Sequence, residues 1–124
     1  MASRGVILFA HGARDPAWAE PFEALRDRFA ALAADLPVRL AFLEFLPPDL
    51  ADAARDLVAS GCREITIVPA FLGVGGHVRR DVPGKIAEIE REHSGVKVTL
   101  ARALGEDASV QDAMASAAVA AARD

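Results

Sequence analysis

Apolar positions along the chain alternate between two periods. Runs rich in β-branched and large apolar residues, Val6 to Ala10, Val38 to Phe45, Ile65 to Ala70 and Val96 to Ala101, read as strands. Between them the apolar residues recur at steps of three and four, which puts them on one face of a helix. Trp18, Phe22, Leu25, Phe29 and Leu32 predict a helix from about Pro16 to Ala34. Leu50, Ala53, Ala54, Leu57 and Val58 predict a second, beginning near Pro48 and stopping at Gly61. Val82, Ile86 and Ile89 mark a third, closed near Gly95, and Val110, Met114 and Ala118 a fourth in an alanine-rich tail. Asp15 before Pro16, and Asp81 before Val82 and Pro83, stand where an N-capping carboxylate would accept the free amides of a first turn.

The order is therefore βαβαβαβα over residues 1–124, read as a single domain without linker, low-complexity tract or internal repeat. Strict alternation implies a three-layer α/β fold: a four-stranded parallel sheet joined by right-handed crossovers, with helices on both faces. Strand order 2-1-3-4 would reverse the direction of winding between the first and third strands, and such sheets bind ligands beyond the C-terminal ends of the strands at that reversal. The two loops that meet there are AHGARDP, residues 10–16, and GVGGHVRRD, residues 73–81. They carry His11 and His77. Loop histidines serve either as hydrogen-bonding surface groups or as ligands and proton carriers, and the shared placement of these two puts the second role level with the first. His93, near the end of the third helix, suits a structural role beside the helix dipole.

Composition narrows the classes. A chain of 124 residues can bury enough surface to fold without covalent staples. The single cysteine, Cys62, excludes an internal disulfide and any cysteine-built metal cluster within one chain, and its place before a strand suits a small buried hydrophobe. A net charge of −4 argues against nucleic-acid binding, and no apolar stretch approaches a membrane span. The opening MASRG leads straight into a strand without a charged and then apolar leader, so the expected location is the cytoplasm. The glycines at 73, 75 and 76 match neither a P-loop nor a dinucleotide fingerprint, and suit close approach of a large flat ligand.

Positive charge gathers at the same loops despite the acidic total. Arg14, Arg79 and Arg80 can each offer a guanidinium fork to a carboxylate, or stand as solvated surface. Glu44, between Leu43 and Phe45 near the end of the second strand, is an edge carboxylate or one turned toward the site.

With these residues in view, the chain resembles a known family. AHGARDP, the AFLEF segment 41–45, VPAFLGVGGHVRRD at 68–81 and ARALG at 101–105 are similar, in order and without large insertion, to the short CbiX-type sirohydrochlorin chelatases. These are class II chelatases related to CbiK, SirB and ferrochelatase. Family members usually carry GHGSRDP in the first loop, where this chain has Ala10 and Ala13 in place of a glycine and the serine. The resemblance implies a chelatase-like, flavodoxin-like fold and insertion of a divalent metal, Co2+, Fe2+ or Ni2+, into sirohydrochlorin, the metal being a substrate and no cofactor being tightly held. It implies that His11 and His77 handle the metal and carry catalysis, with Glu44 assisting metal delivery or proton removal. Arg14, Arg79 and Arg80 would meet the carboxylates of the substrate, while Gly75 and Gly76 leave room for the macrocycle. It further implies a homodimer, with the alanine-rich helix or the apolar residues near Phe71 and Leu72 as candidate interfaces. Two other classes remain at this point: a noncatalytic tetrapyrrole or metal carrier, and a flavodoxin-like signalling or nucleotide-binding module.

Overall fold

The computed structural model describes residues 3–73 and 75–124, and His77 in its backbone only. Four strands, β1 (Arg4–Ala10), β2 (Val38–Phe42), β3 (Glu64–Pro69) and β4 (Lys97–Leu100), form one sheet in the order β2-β1-β3-β4. Every pairing is parallel, with Leu8 opposite both Leu40 and Val68. The expected strand order is the observed one.

β1 lies between two neighbours and under helices on both faces, so its residues from Gly5 to Ala10 are all buried. Alternation divides them. Val6, Leu8 and Ala10 join Val38, Leu40 and Phe42 in a core covered by Trp18, Phe22, Leu25 and Phe29 of the first helical segment. Ile7 and Phe9 point to the other face, against Ile65, Ile67, Leu57, Val78 and Val82. Each fully buried large side chain here contributes about 1.5–3 kcal/mol of transfer free energy. Cys62 is buried beside Gly5, where a Cβ would stand 2.8 Å from its Sγ, and burial pushes its thiol pKa up.

Several boundaries differ from expectation. The first helical segment is a 3₁₀ turn, Pro16–Ala19, followed by α1 (Glu20–Leu32); Asp15 caps it as expected, accepting from the Ala17 amide at 3.0 Å. β2 stops at Phe42 rather than Phe45, because the Phe42 amide donates to Pro48 O (2.9 Å) and folds the chain into a loop before α2 (Leu50–Ala59). α3 spans Gly76–Glu92 and starts a turn and a half earlier than the sequence suggested. Its buried stripe is Val78, Val82 and Ile89, so the stripe reaches back into the segment that the sequence reads as a loop. Asp81 is thus inside the helix and not its cap, Gly75 holds the cap position, and Pro83 lies in the interior, where it marks no start.

α4 (Ala108–Arg123) forms as expected but its stripe does not find a core. Val110 is half-buried and every later residue is exposed, Met114 and Val119 at 48% each. The helix leaves from a 3₁₀ turn, Leu104–Glu106, to which Gln111 Nε2 bonds through Gly105 O at 3.0 Å. The 3₁₀ turn and α1 are the helical cover of one face of the sheet among the described residues, and Thr99 of β4 on that face is exposed while Val68 of β3 is half-buried.

Candidate active site

Strand order sets the loop that follows β1 between those that follow β2 and β3. His11 follows the last buried residue of β1 and is exposed. Its ring packs on Phe71, centroids 4.7 Å apart and planes at 35°, and Phe71 in turn lies 5.7 Å from the ring of buried Phe9. The imidazole therefore stands on an aromatic column rooted in the core. Phe71 is itself only 9% exposed, so among the described residues the apolar surface expected near it is carried by Leu72, at 71%.

On the β2 side the backbone is laced to the His11 loop. Leu43 N–H donates to Ala10 O (2.9 Å) and Glu44 N–H to His11 O (3.0 Å). Gly12 completes the contact at φ +90°; a Cβ there would stand 1.8 Å from Glu44 O. Next, Leu46 N–H donates to the same Glu44 O (2.9 Å) across Phe45, whose φ is 71°. This is a γ-turn with a positive φ at a bulky residue, a conformation that costs about 1–3 kcal/mol and persists only where its surroundings hold it. Phe45 is 56% exposed, and the Arg14 guanidinium carbon lies 5.2 Å from its ring centroid, within cation–π range. Glu44 is exposed in this loop rather than placed on a strand face, and its backbone, more than its carboxylate, ties the site together.

The β3 side is held in the same manner. Ala70 N–H donates to Phe9 O (2.7 Å) and Gly105 N–H to Phe71 O (2.8 Å). A Cβ on Gly105 would stand 2.2 Å from Leu72 O and 2.3 Å from its Cα, so only glycine lets the 3₁₀ turn seat against this loop. Gly105 was visible in the sequence only as the end of ARALG; a glycine soon after the last strand was its one local signal.

The chain then enters α3 with Gly75 at the cap and no side chain closing it. His77 is the second residue of that helix, not a loop residue, and its side chain lies outside the described residues. Arg79 and Arg80 are exposed in the same first turns, and Arg80 Nη1 is 3.5 Å from where a Gly76 Cβ would stand. The partial positive charge of the uncapped helix end and these guanidinium groups add to Arg14 across the sheet edge, an arrangement suited to carboxylates. Gly75 has open space where a Cβ would go. Among the described residues no three His, Cys, Asp or Glu side chains converge as a metal cluster.

The CbiX family model matches residues 5–121. The chain belongs to this family. It is 32% identical over 112 residues to a sirohydrochlorin cobaltochelatase of Sulfurisphaera tokodaii, covering 87% of this chain and 85% of that protein. To the enzyme of the same name from Saccharolobus solfataricus it is 30% identical over 122 residues, with 89% of each covered. A solved CbiX protein of Marinobacter aquaeolei superposes with a TM-score of 0.85 at 31% identity, covering 97% of this chain and 98% of that one. The sirohydrochlorin chelatase SirB of Bacillus subtilis, solved with cobalt, shares the fold at TM-score 0.74 and 20% identity; the match takes in 82% of this chain and 43% of SirB. In this chain the His11 loop, the Gly12–Glu44 contact and the start of α3 all lie at the C-terminal edge of the sheet.

Proposed function

We propose that the protein is a sirohydrochlorin metal chelatase that inserts Co2+, Fe2+ or Ni2+ into the macrocycle. The observation that carries this reading is the exposed His11 imidazole, seated on Phe71 at the winding reversal of a CbiX-family fold. The relatives matched over most of their length are named sirohydrochlorin cobaltochelatases, which makes cobalt the first metal to test.

Insertion exchanges two pyrrole N–H protons for a dication that must shed its water. A neutral imidazole can do two things in that exchange: bind the metal, a role imidazole fills for cobalt, iron and nickel alike, and accept a proton. His11 and His77 take these parts in our reading. The four ring nitrogens of the macrocycle complete the metal's coordination, so no closed protein cage is required. Glu44 stands beside the His11 loop as a second acceptor for protons or a stage for the incoming ion. Arg14, Arg79 and Arg80 bind the substrate's carboxylates, and Gly75 and Gly76 leave space beside α3. The metal is substrate, and the reading needs no resident cofactor. No helix among the described residues is long and apolar enough to cross a membrane, and we place the enzyme in the cytoplasm.

We further propose that it works as a homodimer. SirB is more than twice as long as the segment matched to it, and one copy of the present fold supplies one sheet edge. Of the two interface candidates, α4 is supported by its exposed Met114 and Val119. Sedimentation should give twice the chain mass for wild type and the monomer mass for Met114→Asp with Val119→Asp; a monomeric wild type would refute the dimer.

The decisive assay follows the absorbance of sirohydrochlorin mixed with Co2+ with and without protein. Faster conversion than the metal alone is expected, lost in both His11→Ala and His77→Ala while circular dichroism stays unchanged. No acceleration with cobalt, iron or nickel would refute the chelatase and leave a carrier.

A further inference from the structure

The loops that flank the His11 loop each carry an exposed apolar residue: Phe45 in the loop after β2, 56% exposed, and Leu72 in the loop after β3, 71% exposed. Neighbouring strands lie about 4.8 Å apart, so loops from the two strands flanking β1 are separated by roughly 10 Å, on the scale of a flat tetrapyrrole core. Both side chains stand on backbone that the fold has immobilised. Phe45 is the central residue of the γ-turn closed by Leu46 N–H to Glu44 O, and that turn is fixed to the His11 loop through Glu44 N–H and the bare Cα of Gly12. Leu72 is fixed through Phe71 O and the bare Cα of Gly105. A large apolar side chain left in water gains nothing for folding, and one held at φ 71° works against it. Two of them, each braced by a glycine contact and carried on the loops either side of the His11 loop, fit a purpose in binding.

We infer that Phe45 and Leu72 are substrate-positioning residues: they form two apolar rests for the face of the macrocycle, which hold its ring centre over His11. The inference deepens the chelatase reading and rests on it. Arg14, now stacked on Phe45, is the cation next to that rest and pairs with a carboxylate at the macrocycle's rim. Apolar contacts of this kind are made in ground and transition states alike, so their loss raises KM more than it lowers kcat.

The test is binding of metal-free sirohydrochlorin, read from its absorbance at low and high salt, with steady-state cobalt insertion alongside. Phe45→Ala should weaken binding about tenfold, from the scale of a stacked aromatic contact, at both salt levels, because the contact is not ionic. Leu72→Ala should weaken it by about threefold to tenfold. Phe45→Trp keeps a flat apolar face and should stay within about threefold of wild type. Phe45→Gly separates binding from folding: it relieves the backbone at φ 71°, so the thermal midpoint should hold or rise while affinity falls as in Phe45→Ala. Wild-type affinity in both Phe45→Ala and Leu72→Ala would overturn the inference and leave the chelatase standing. So would a loss in Phe45→Trp as deep as in Phe45→Ala. A wild-type protein that binds no sirohydrochlorin would remove the chelatase reading, and the inference with it.

Discussion

Replacing Gly12 by alanine should lower both stability and insertion, and insertion the more. The new Cβ would stand 1.8 Å from Glu44 O, whereas ordinary contact begins near 3.4 Å, so the two loops must part by about 1.6 Å. Glu44 O cannot yield freely, since it accepts from Leu46 and its own amide donates to His11 O. Alanine at φ +90° adds about 1–2 kcal/mol of backbone penalty, and each exposed hydrogen bond that breaks adds about 1 kcal/mol. The expected loss of stability is about 2–4 kcal/mol, read from urea denaturation. The effect on insertion should be larger, because a misplacement of about 1 Å at a catalytic group costs on the order of a hundredfold. Absorbance assays should therefore show kcat/KM for cobalt insertion down about a hundredfold in protein that is still folded. Gly84→Ala, inside α3 with nothing within 4 Å of its Cβ, is the control and should raise stability by about 0.5–1 kcal/mol. Wild-type rate and stability in Gly12→Ala would show that the contact between the two loops is not what fixes His11.

Gly105→Ala should destabilise by about 1–3 kcal/mol, since its Cβ would meet the Leu72 backbone at 2.2 Å; an unchanged urea midpoint would refute that close approach. Arg79→Ala and Arg80→Ala should each raise KM for sirohydrochlorin more than they lower kcat, most clearly at low salt, and unchanged KM in both would leave them as solvated surface. Cys62, buried and with its thiol pKa raised by that burial, should resist alkylation in the native state and react on unfolding; rapid native labelling would contradict the packing. The Asp107 carboxylate is held below its ordinary value of about 3.8 by hydrogen bonds from the Ser109 hydroxyl and amide at the start of α4. Its folded pKa is depressed, so the cap is fully present above the ordinary value and lost as pH falls through the lowered one; helicity at the start of α4 should fray there in wild type, and already at neutral pH in Asp107→Ala.

What the sequence disclosed and what it hid have physical causes. Periods of two and of three to four report burial on one side of an element, so the strands of the sheet and the face of α2 were legible from Ile7, Ile67, Leu57 and their neighbours, whereas the strand order came from the fold type and not from the pattern. The start of α3 was not, because Pro83 looked like a first-turn residue and Asp81 like its cap. Propensity describes the isolated chain, and burial of Val78 against the sheet decided the case. His11, Arg14 and Glu44 were found by type and place. The two contacts that hold their loops were hidden, since a glycine selected for what its absent side chain avoids leaves no pattern of its own. The glycine-rich loop stands out in the sequence instead, yet at Gly75 the structure has open space for a Cβ. The exposed Phe45 was equally hidden: in the sequence it looked like one more strand residue, and only the turn at φ 71° shows that it faces solvent.

The same contrast bears on why a second copy suits this chain. Among the described residues the loops after β1, β2 and β3 are tied down by backbone bonds within the chain, yet α4, with 16 residues, is covered by almost nothing. A helix of that length is marginal in water even when alanine-rich, and most helical stability in proteins comes from packing. Its Met114 and Val119 are exposed, while on the α1 side of the sheet Thr99 lies open and Val68 is only half covered. An α/β chain ordinarily folds its last helix back over such a face. Here the helix points away, which leaves an apolar stripe and an under-covered sheet face on the same molecule. Two copies related by a twofold axis can satisfy both kinds of surface at once, because each copy presents what the other lacks. In the proposed dimer, that complementarity favours α4 over Leu72 as the contact between copies, and leaves Leu72 to the proposed role beside the His11 loop.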